Sequence, residues 1–263
     1  MSSDTVKSLL ELVDERPDVD NSEVFPRLWA ILGEVRAKLD KRFTLQMDES
    51  TRELQPYEKG DYQGFLSTFY GAEIEHMVHS WIGNPKQSFC NMHLTTWLKP
   101  HINVPHLGFA LGTLPDVFIY MDYIPRVDLW TDLDYLDRYY EPANERFLAL
   151  RKDQRLSPFT SKTLYMRQSQ SSTSNCYVFK ATDDTLELVR EMAHEMVDRW
   201  LVWVDEAPPV PEAQRAALAA RDLFIRRAIA DRDPANAMGV RLFGEELTEK
   251  LVRALWGANR AGL

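Results

Sequence analysis

Apolar positions along the chain change period twice: helical at the start, alternating in the middle, helical again at the end. The pattern predicts a short helix over 3–15, stopped by Arg16-Pro17, and a longer one from about Ser22 to Lys41. Ser22 or Asn21 would cap that second helix, Pro26 falls near its first turn, and Phe25, Leu28, Trp29, Leu32, Val35 and Leu39 recur at helical spacing. Residues 42–70 are polar and weakly periodic and read as strand fragments and loop. A strand is expected over 74–81, with Gly83-Asn84-Pro85 as the turn after it. Three more follow at about 88–98, 105–111 and 116–123, joined by connections short enough to make antiparallel neighbours the default.

Side chains alternate across a strand, so each of these three offers two faces. Met92, Leu94 and Leu98 share one face with Leu107, Phe109, Leu111, Val117, Ile119 and Met121, an apolar side for helices to cover. The opposite face carries Asn91, His93, Thr95 and Trp97, then His106, Gly108 and Ala110, then Phe118, Tyr120 and Asp122. Small residues in mid-strand mark close approach of a ligand or another backbone, so this face reads as the wall of a pocket for something flat.

Beyond the strands, helices are expected over 133–140, with Asp132 or Asp134 near the start, and from Glu141-Pro142 towards Arg151. The stretch 158–175, rich in Ser, Thr and Gln, reads as an irregular surface connection, and a strand near 176–179 completes the sheet. A strongly periodic helix covers 184–204 before Pro208, Pro209 and Pro211; two more cover 212–230 and 244–256. Strands bunched between helices predict one α+β domain over 1–263, a three-layer α/β/α sandwich with a central antiparallel sheet. Its N-terminal helices lie at about 1–41, its sheet at 43–123 plus 176–179, and its C-terminal helices at 184–258.

At 263 residues with 44% apolar content, the chain can bury a large core, and a formal charge of −9 makes nucleic acid and anionic membrane poor partners. The start shows no leader pattern and no apolar run approaches a membrane span, so the expectation is a soluble, cytoplasmic protein. Two cysteines, Cys90 and Cys176, are too few for a disulfide scaffold or a thiolate metal site and read as ordinary reduced thiols.

Chemistry concentrates on the pocket face. His93, His101, His106 and Asp122 match no metal-ligand spacing, and His76 and His79, three apart on a strand, point to opposite faces. There is no nucleophile elbow and no glycine-rich phosphate loop, so triad, Rossmann and P-loop chemistry are not expected. His93 on the pocket face suits proton handling, since an imidazole or a carboxylic acid tuned by burial can supply protons. Basic residues gather in two stretches, Arg146 to Arg167 and Arg221 to Arg232; an inward arginine such as Arg226 would pair with ligand carboxylates.

The run His93…Pro105-His106-Leu107-Gly108-Phe109-Ala110, followed by Phe118-Ile119-Tyr120-Met121-Asp122, resembles the ferredoxin-dependent bilin reductases. Asp134 to Tyr140 (DYLDRYY), Arg221 to Arg227 (RDLFIRR) and Arg241 to Glu246 (RLFGEE) resemble their relative, red chlorophyll catabolite reductase. The resemblance implies an α/β/α sandwich that reduces an open-chain tetrapyrrole lying between the sheet and the C-terminal helices. It implies electrons taken from reduced ferredoxin, and no bound flavin or metal. It puts His93 on the active-site histidine and Asp233, or Asp231 two residues earlier, on a C-terminal substrate-contacting aspartate. His106, Gly108, Ala110, Asp122, Trp97 and Arg226 are then expected to contact substrate. Ala110 stands where the family carries a carboxylate that protonates the substrate, so the alternative expectation is a non-reducing relative that binds a tetrapyrrole or another flat carboxylated ligand.

Overall fold

The computed structural model describes residues 5–14 and 18–257, so Ser3, Glu15 and the Arg16-Pro17 stop lie outside the described residues. In chain order it contains strand β1 (Thr5–Lys7), helices α1 (Leu9–Asp14) and α2 (Val24–Arg42), then β2 (Leu45–Met47), β3 (Tyr57–Lys59), β4 (Tyr62–Gly71) and β5 (Ile74–Gly83). Next come β6 (Cys90–Leu98), β7 (His106–Thr113), β8 (Val117–Ile124), α3 (Leu133–Tyr139) and α4 (Glu141–Arg151). The chain closes with β9 (Ser157–Ser161), α5 (Leu164–Gln168), β10 (Asn175–Phe179), α6 (Asp183–Glu206), α7 (Glu212–Arg232), α8 (Asn236–Phe243) and α9 (Glu245–Trp256).

The strands form one sheet in the order β1-β9-β10-β8-β7-β6-β5-β4-β2, with β3 paired to β4. Neighbours are antiparallel except β1 and β9, which run parallel, so the expected all-antiparallel sheet is corrected at that edge. The apolar face predicted from alternation is the core: Met92, Leu94, Leu107, Phe109, Leu111, Val117, Ile119 and Met121 are buried against α2 and α6. Those helices bring the predicted stripes, Leu28, Leu32, Val35 and Leu39 from one and Val189, Met192, Met196 and Trp200 from the other. Trp200 is fully buried, and its Nε1 donates to the Pro105 carbonyl at 2.7 Å, so the indole satisfies its one donor while filling the core. Thr182 caps α6 by accepting from the Thr185 backbone N–H; at α2, by contrast, Ser22 makes no cap, and the helix begins at Val24 behind Glu23.

The other face of the sheet is covered by α7, α8 and α9. Leu251 and Ala254 of α9 pack on Leu54, Leu66 and Val78, while Ile229 of α7 packs with Trp97 and Ile124. Four segments differ from expectation. Residues 5–7, expected in the first helix, form β1 and pair with β9, so that helix begins only at Leu9. β4 is a full ten-residue strand where only strand fragments and loop were expected, because its middle is covered on both faces, which blurs the two-residue alternation. The 158–175 stretch holds β9 and α5; β9 contains Pro158 and pairs with β10 over two residues only, so it carries a weak strand signal. α8 precedes the last helix and was hidden by Gly239, where a Cβ would stand 2.8 Å from the Thr248 Cγ2; the glycine lets α8 and α9 pack closely.

Candidate active site

Between this second face and the α7–α9 layer lies a cavity of about 430 Å³. Its floor is built by strand register. One row runs Ser80, His93, Ala110, Tyr120, Cys176 across β5, β6, β7, β8 and β10. A second runs Val78, Thr95, Gly108, Asp122, of which Thr95 and Gly108 line the cavity, and a third Ile82, Asn91, Gly112, Phe118, Val178, of which Ile82, Asn91 and Phe118 do. The middle of the floor therefore has only the small residues Gly108 and Ala110 of that face of β7, a shallow trough between the larger side chains of β6 and β8. Ile225, Ala228 and Ile229 of α7, Met238 of α8 and Leu251, Leu255 and Trp256 of α9 form the opposite wall, and Tyr165, Met166 and Gln168 of α5 close one side. Phe224, 70% exposed, stands at the mouth.

His93, Gly108, Ala110 and Asp233 line this cavity. Asp233 follows the last residue of α7, and its Oδ1 accepts from the Ala235 N–H at 2.8 Å, fixing the turn into α8. Asp231 is exposed, and of the two aspartates only Asp233 lines the cavity. Burial raises the Asp233 carboxyl above the ordinary range, so it holds a proton more readily than a surface aspartate. His93 is recessed in the floor, with Asn91 Nδ2 at 3.5 Å from its Nε2. Burial pushes its imidazole down to about 4, so it is neutral at pH 7.

Trp97, His106, Arg226 and Asp122, expected to contact substrate, lie off the cavity wall. His106 is buried at the far end of β7: Nδ1 accepts from the Leu98 backbone N–H at 3.0 Å, which places its proton on Nε2, 3.1 Å from Asp222 Oδ1. Asp222 on α7 also takes Arg126, whose guanidinium donates onward to the Ile102 carbonyl. Burial raises the Asp222 carboxyl, but His106 and Arg126 outweigh it and leave it below the ordinary range. Trp97 covers this cluster, with its ring 4.4 Å from that of His106, and Arg226 is buried with its guanidinium 5.8 Å over the Trp97 ring. These residues anchor α7 to the sheet. Residue spacing along a helix or strand could not reveal it, because the partners come from four separate segments, β6, β7, the loop after β8 and α7. Asp122 is fully buried; its neighbour Tyr120 lines the cavity instead. Alternation had already put Tyr120 on this face, and the resemblance implied a ligand beneath the C-terminal helices, whereas no periodicity singled out α8.

Among the described residues, no group of three His, Cys, Asp or Glu side chains converges as a metal site would require, and no helix is long and apolar enough to cross a membrane. Cys90 and Cys176 are free, buried thiols, both pushed up to about 12 by burial. His76 and His79 do face opposite ways. His76 Nε2 donates to the Leu255 carbonyl at 3.1 Å on the α9 side, and His79 stacks on Trp29 of α2 with ring centroids 4.1 Å apart.

Burial of histidines has a consequence for acid stability. His79, His93 and His106 are each pushed down to about 4 from 6.5. The unfolded chain takes up these protons first, so stability is full above about pH 6.5 and is lost as pH falls towards 4. Asp122 opposes this, because burial pushes its carboxyl up to about 6 and the folded state binds that proton first. Asp233, also raised by burial, opposes it too, but the three histidines take up their protons across this window, and the urea midpoint is expected to fall between pH 7 and pH 5. His79→Gln should flatten that slope; an unchanged slope would mean that the stacked His79 takes up its proton as readily as it does in the unfolded chain.

A family model described as red chlorophyll catabolite reductase (RCC reductase) matches residues 58–256. Red chlorophyll catabolite reductase 1, chloroplastic, of Oryza sativa subsp. japonica is 23% identical over 172 residues, 60% of this chain and 52% of that protein. The chain thus spans about half the length of that relative. Red chlorophyll catabolite reductase of Hordeum vulgare is 23% identical over 168 residues, 59% of this chain and 82% of that one. Phytochromobilin synthase from tomato, crystallised in complex with biliverdin, superposes with a TM-score of 0.76 at 14% identity, covering 89% of this chain and 84% of that one. That likeness establishes the shared fold.

Proposed function

The chain belongs to the red chlorophyll catabolite reductase family, and from that premise we propose that it reduces an open-chain tetrapyrrole. Electrons come singly from an external donor, reduced ferredoxin or a protein like it, and no redox group resides in the chain. The observation that carries this reading is the cavity itself: a trough floored by small β7 residues, apolar over most of its wall, roofed by the C-terminal helices. Such a slot excludes water from a flat conjugated ligand and leaves a few placed polar groups to orient it. His93 on the floor and Asp233 at the α7–α8 turn are the proton-handling candidates, the first a neutral imidazole, the second an acid whose burial favours the protonated form.

The test mixes the protein with biliverdin, records the absorption spectrum, and adds reduced ferredoxin without oxygen. Loss of the long-wavelength band and a new product by chromatography are expected. Ala110 favours a second reading, a binder that does not reduce, because no carboxylate stands at that position on the floor. Tight binding with a spectrum that reduced ferredoxin leaves unaltered would select that reading.

Donor docking carries its own prediction. Much of the Arg146–Arg167 stretch is internally neutralised: Arg146 pairs with Glu195 at 3.0 Å, Arg155 with Asp153 at 2.6 Å and Lys162 with Glu11 at 2.6 Å. Arg151 and Lys152 remain exposed there, as do Arg227 and Arg232 nearer the cavity mouth. Ferredoxin-supported turnover is expected to fall as salt rises from low to about 0.3 M, because exposed charge pairs are screened beyond the Debye length. Salt-independent turnover would remove charge as the basis of docking.

A further inference from the structure

We propose that Tyr120, backed by Asp122, delivers a proton to the bound tetrapyrrole, taking over the task of the carboxylate that position 110 lacks. The inference rests on the reductase reading above. Tyr120 stands directly across from Ala110 in the sheet, and Ala110 directly across from His93, so the phenol occupies the strand next to the vacated position. Its ring lies along β8 over Gly108, where a Cβ would come within 3.8 Å of Tyr120 Cε1 and 3.1 Å of Ile124 Cδ1. Tyr120 lines the cavity; Asp122, two residues on and on the same face, is fully buried. The phenol donates to Asp122 Oδ2 at 3.1 Å, so Tyr120 links the buried carboxyl to the cavity.

The carboxyl is also held from the other side. Ser171, just beyond α5, donates to it through its backbone N–H at 2.9 Å and its hydroxyl at 2.5 Å. Three donors on one carboxylate fix its orientation, and a hydroxyl pair can reverse the direction of its hydrogen bonds without moving heavy atoms. With Asp122 ionised, the phenol O–H points at the carboxylate. With Asp122 protonated, the acid O–H points at the phenol oxygen, and the phenol hydrogen is released to the cavity. The titratable groups beside the carboxyl are Tyr120 and Tyr123 on its own strand, Cys176 on β10, and Tyr140 after α3. Burial pushes Asp122 up to about 6, which keeps its protonated form within reach near neutrality.

The step balances as follows. An external one-electron donor reduces the bound tetrapyrrole to its radical anion. The Tyr120 O–H bond breaks as its proton bonds to the substrate, and the Asp122 acid proton bonds to the Tyr120 oxygen. The substrate has then gained one electron and one proton, the phenol is restored, and Asp122 is left as carboxylate. Asp122 recovers its proton from solvent through the same phenol once product has left.

The test uses the full chain, biliverdin as probe and reduced methyl viologen as donor, so that ferredoxin docking plays no part. Tyr120→Phe removes the hydroxyl and keeps the ring. It is expected to bind biliverdin but to slow single-turnover reduction roughly 10²-fold, the lower range for loss of a general acid. In the parent, the spectrum of bound biliverdin is expected to change with a midpoint near pH 6, and that change should be absent from both Tyr120→Phe and Asp122→Asn. Tyr120→Phe turnover as fast as the parent's overturns the proposal. If the parent binds biliverdin but does not reduce it, the reductase reading fails, and the pH titration alone then decides this pair: a transition unchanged in Tyr120→Phe overturns it. A parent that binds no biliverdin overturns both.

Discussion

Replacing Asp222 with alanine is expected to destabilise the protein by roughly 3–5 kcal/mol, the range for breaking a buried ion pair by deleting one partner. Arg126 is 0% exposed and would keep its charge without the carboxylate that now faces it. His106, pinned by the Leu98 N–H on one nitrogen, would lose the neighbour of the other. The pair joins α7 to the loop after β8, so the loss should also loosen the cavity roof and weaken biliverdin binding. Asp222→Asn keeps the shape and one acceptor and should cost less. Urea unfolding at pH 7 checks the order; a loss under about 1 kcal/mol for alanine would mean that the Ile102 and Lys99 carbonyls suffice for Arg126.

His93→Gln is expected to retain biliverdin binding and slow its reduction roughly 10²-fold. Glutamine keeps a hydrogen-bonding amide in the floor but cannot take or release a proton. The imidazole is neutral at pH 7 because burial pushes it down to about 4, and a developing anion on the substrate would favour its protonated form. A two-electron reduction consumes two protons, so the histidine and the phenol across Ala110 need not be redundant. Ala110→Asp places a carboxyl between them, since its cross-strand neighbours are His93 and Tyr120. That variant is expected to speed reduction or change which position is reduced, at a stability cost for burying the acid. If His93→Gln reduces biliverdin as fast as the parent, the histidine only lines the cavity. If Ala110→Asp folds, binds and alters neither rate nor product, position 110 plays no part in proton delivery.

Local chemistry carries much of this protein. Alternation in β6, β7 and β8 separated core from cavity face residue by residue, because a strand's two-residue period is fixed by its own backbone. Helical spacing did the same for α2 and α6, whose stripes are the ones buried. It also put His93, Gly108, Ala110 and Tyr120 on one surface, a fact of register between hairpin neighbours. What local pattern could not decide is which residues of that surface meet the cavity and which are covered. Trp97 and His106 share the face with His93, yet Asp222 and Arg226 descend on them from α7, more than a hundred residues along the chain. Asp122 shares it with Tyr120, yet Ser171, from a stretch expected to be irregular, closes over it. β9 and α8 escaped notice for the same reason: an edge strand with proline and a short helix with glycine are stabilised by their neighbours, not by their own propensities. Period and register are properties of a segment, whereas the cavity is the space left when distant segments pack, and only their packing sets which side chains reach it.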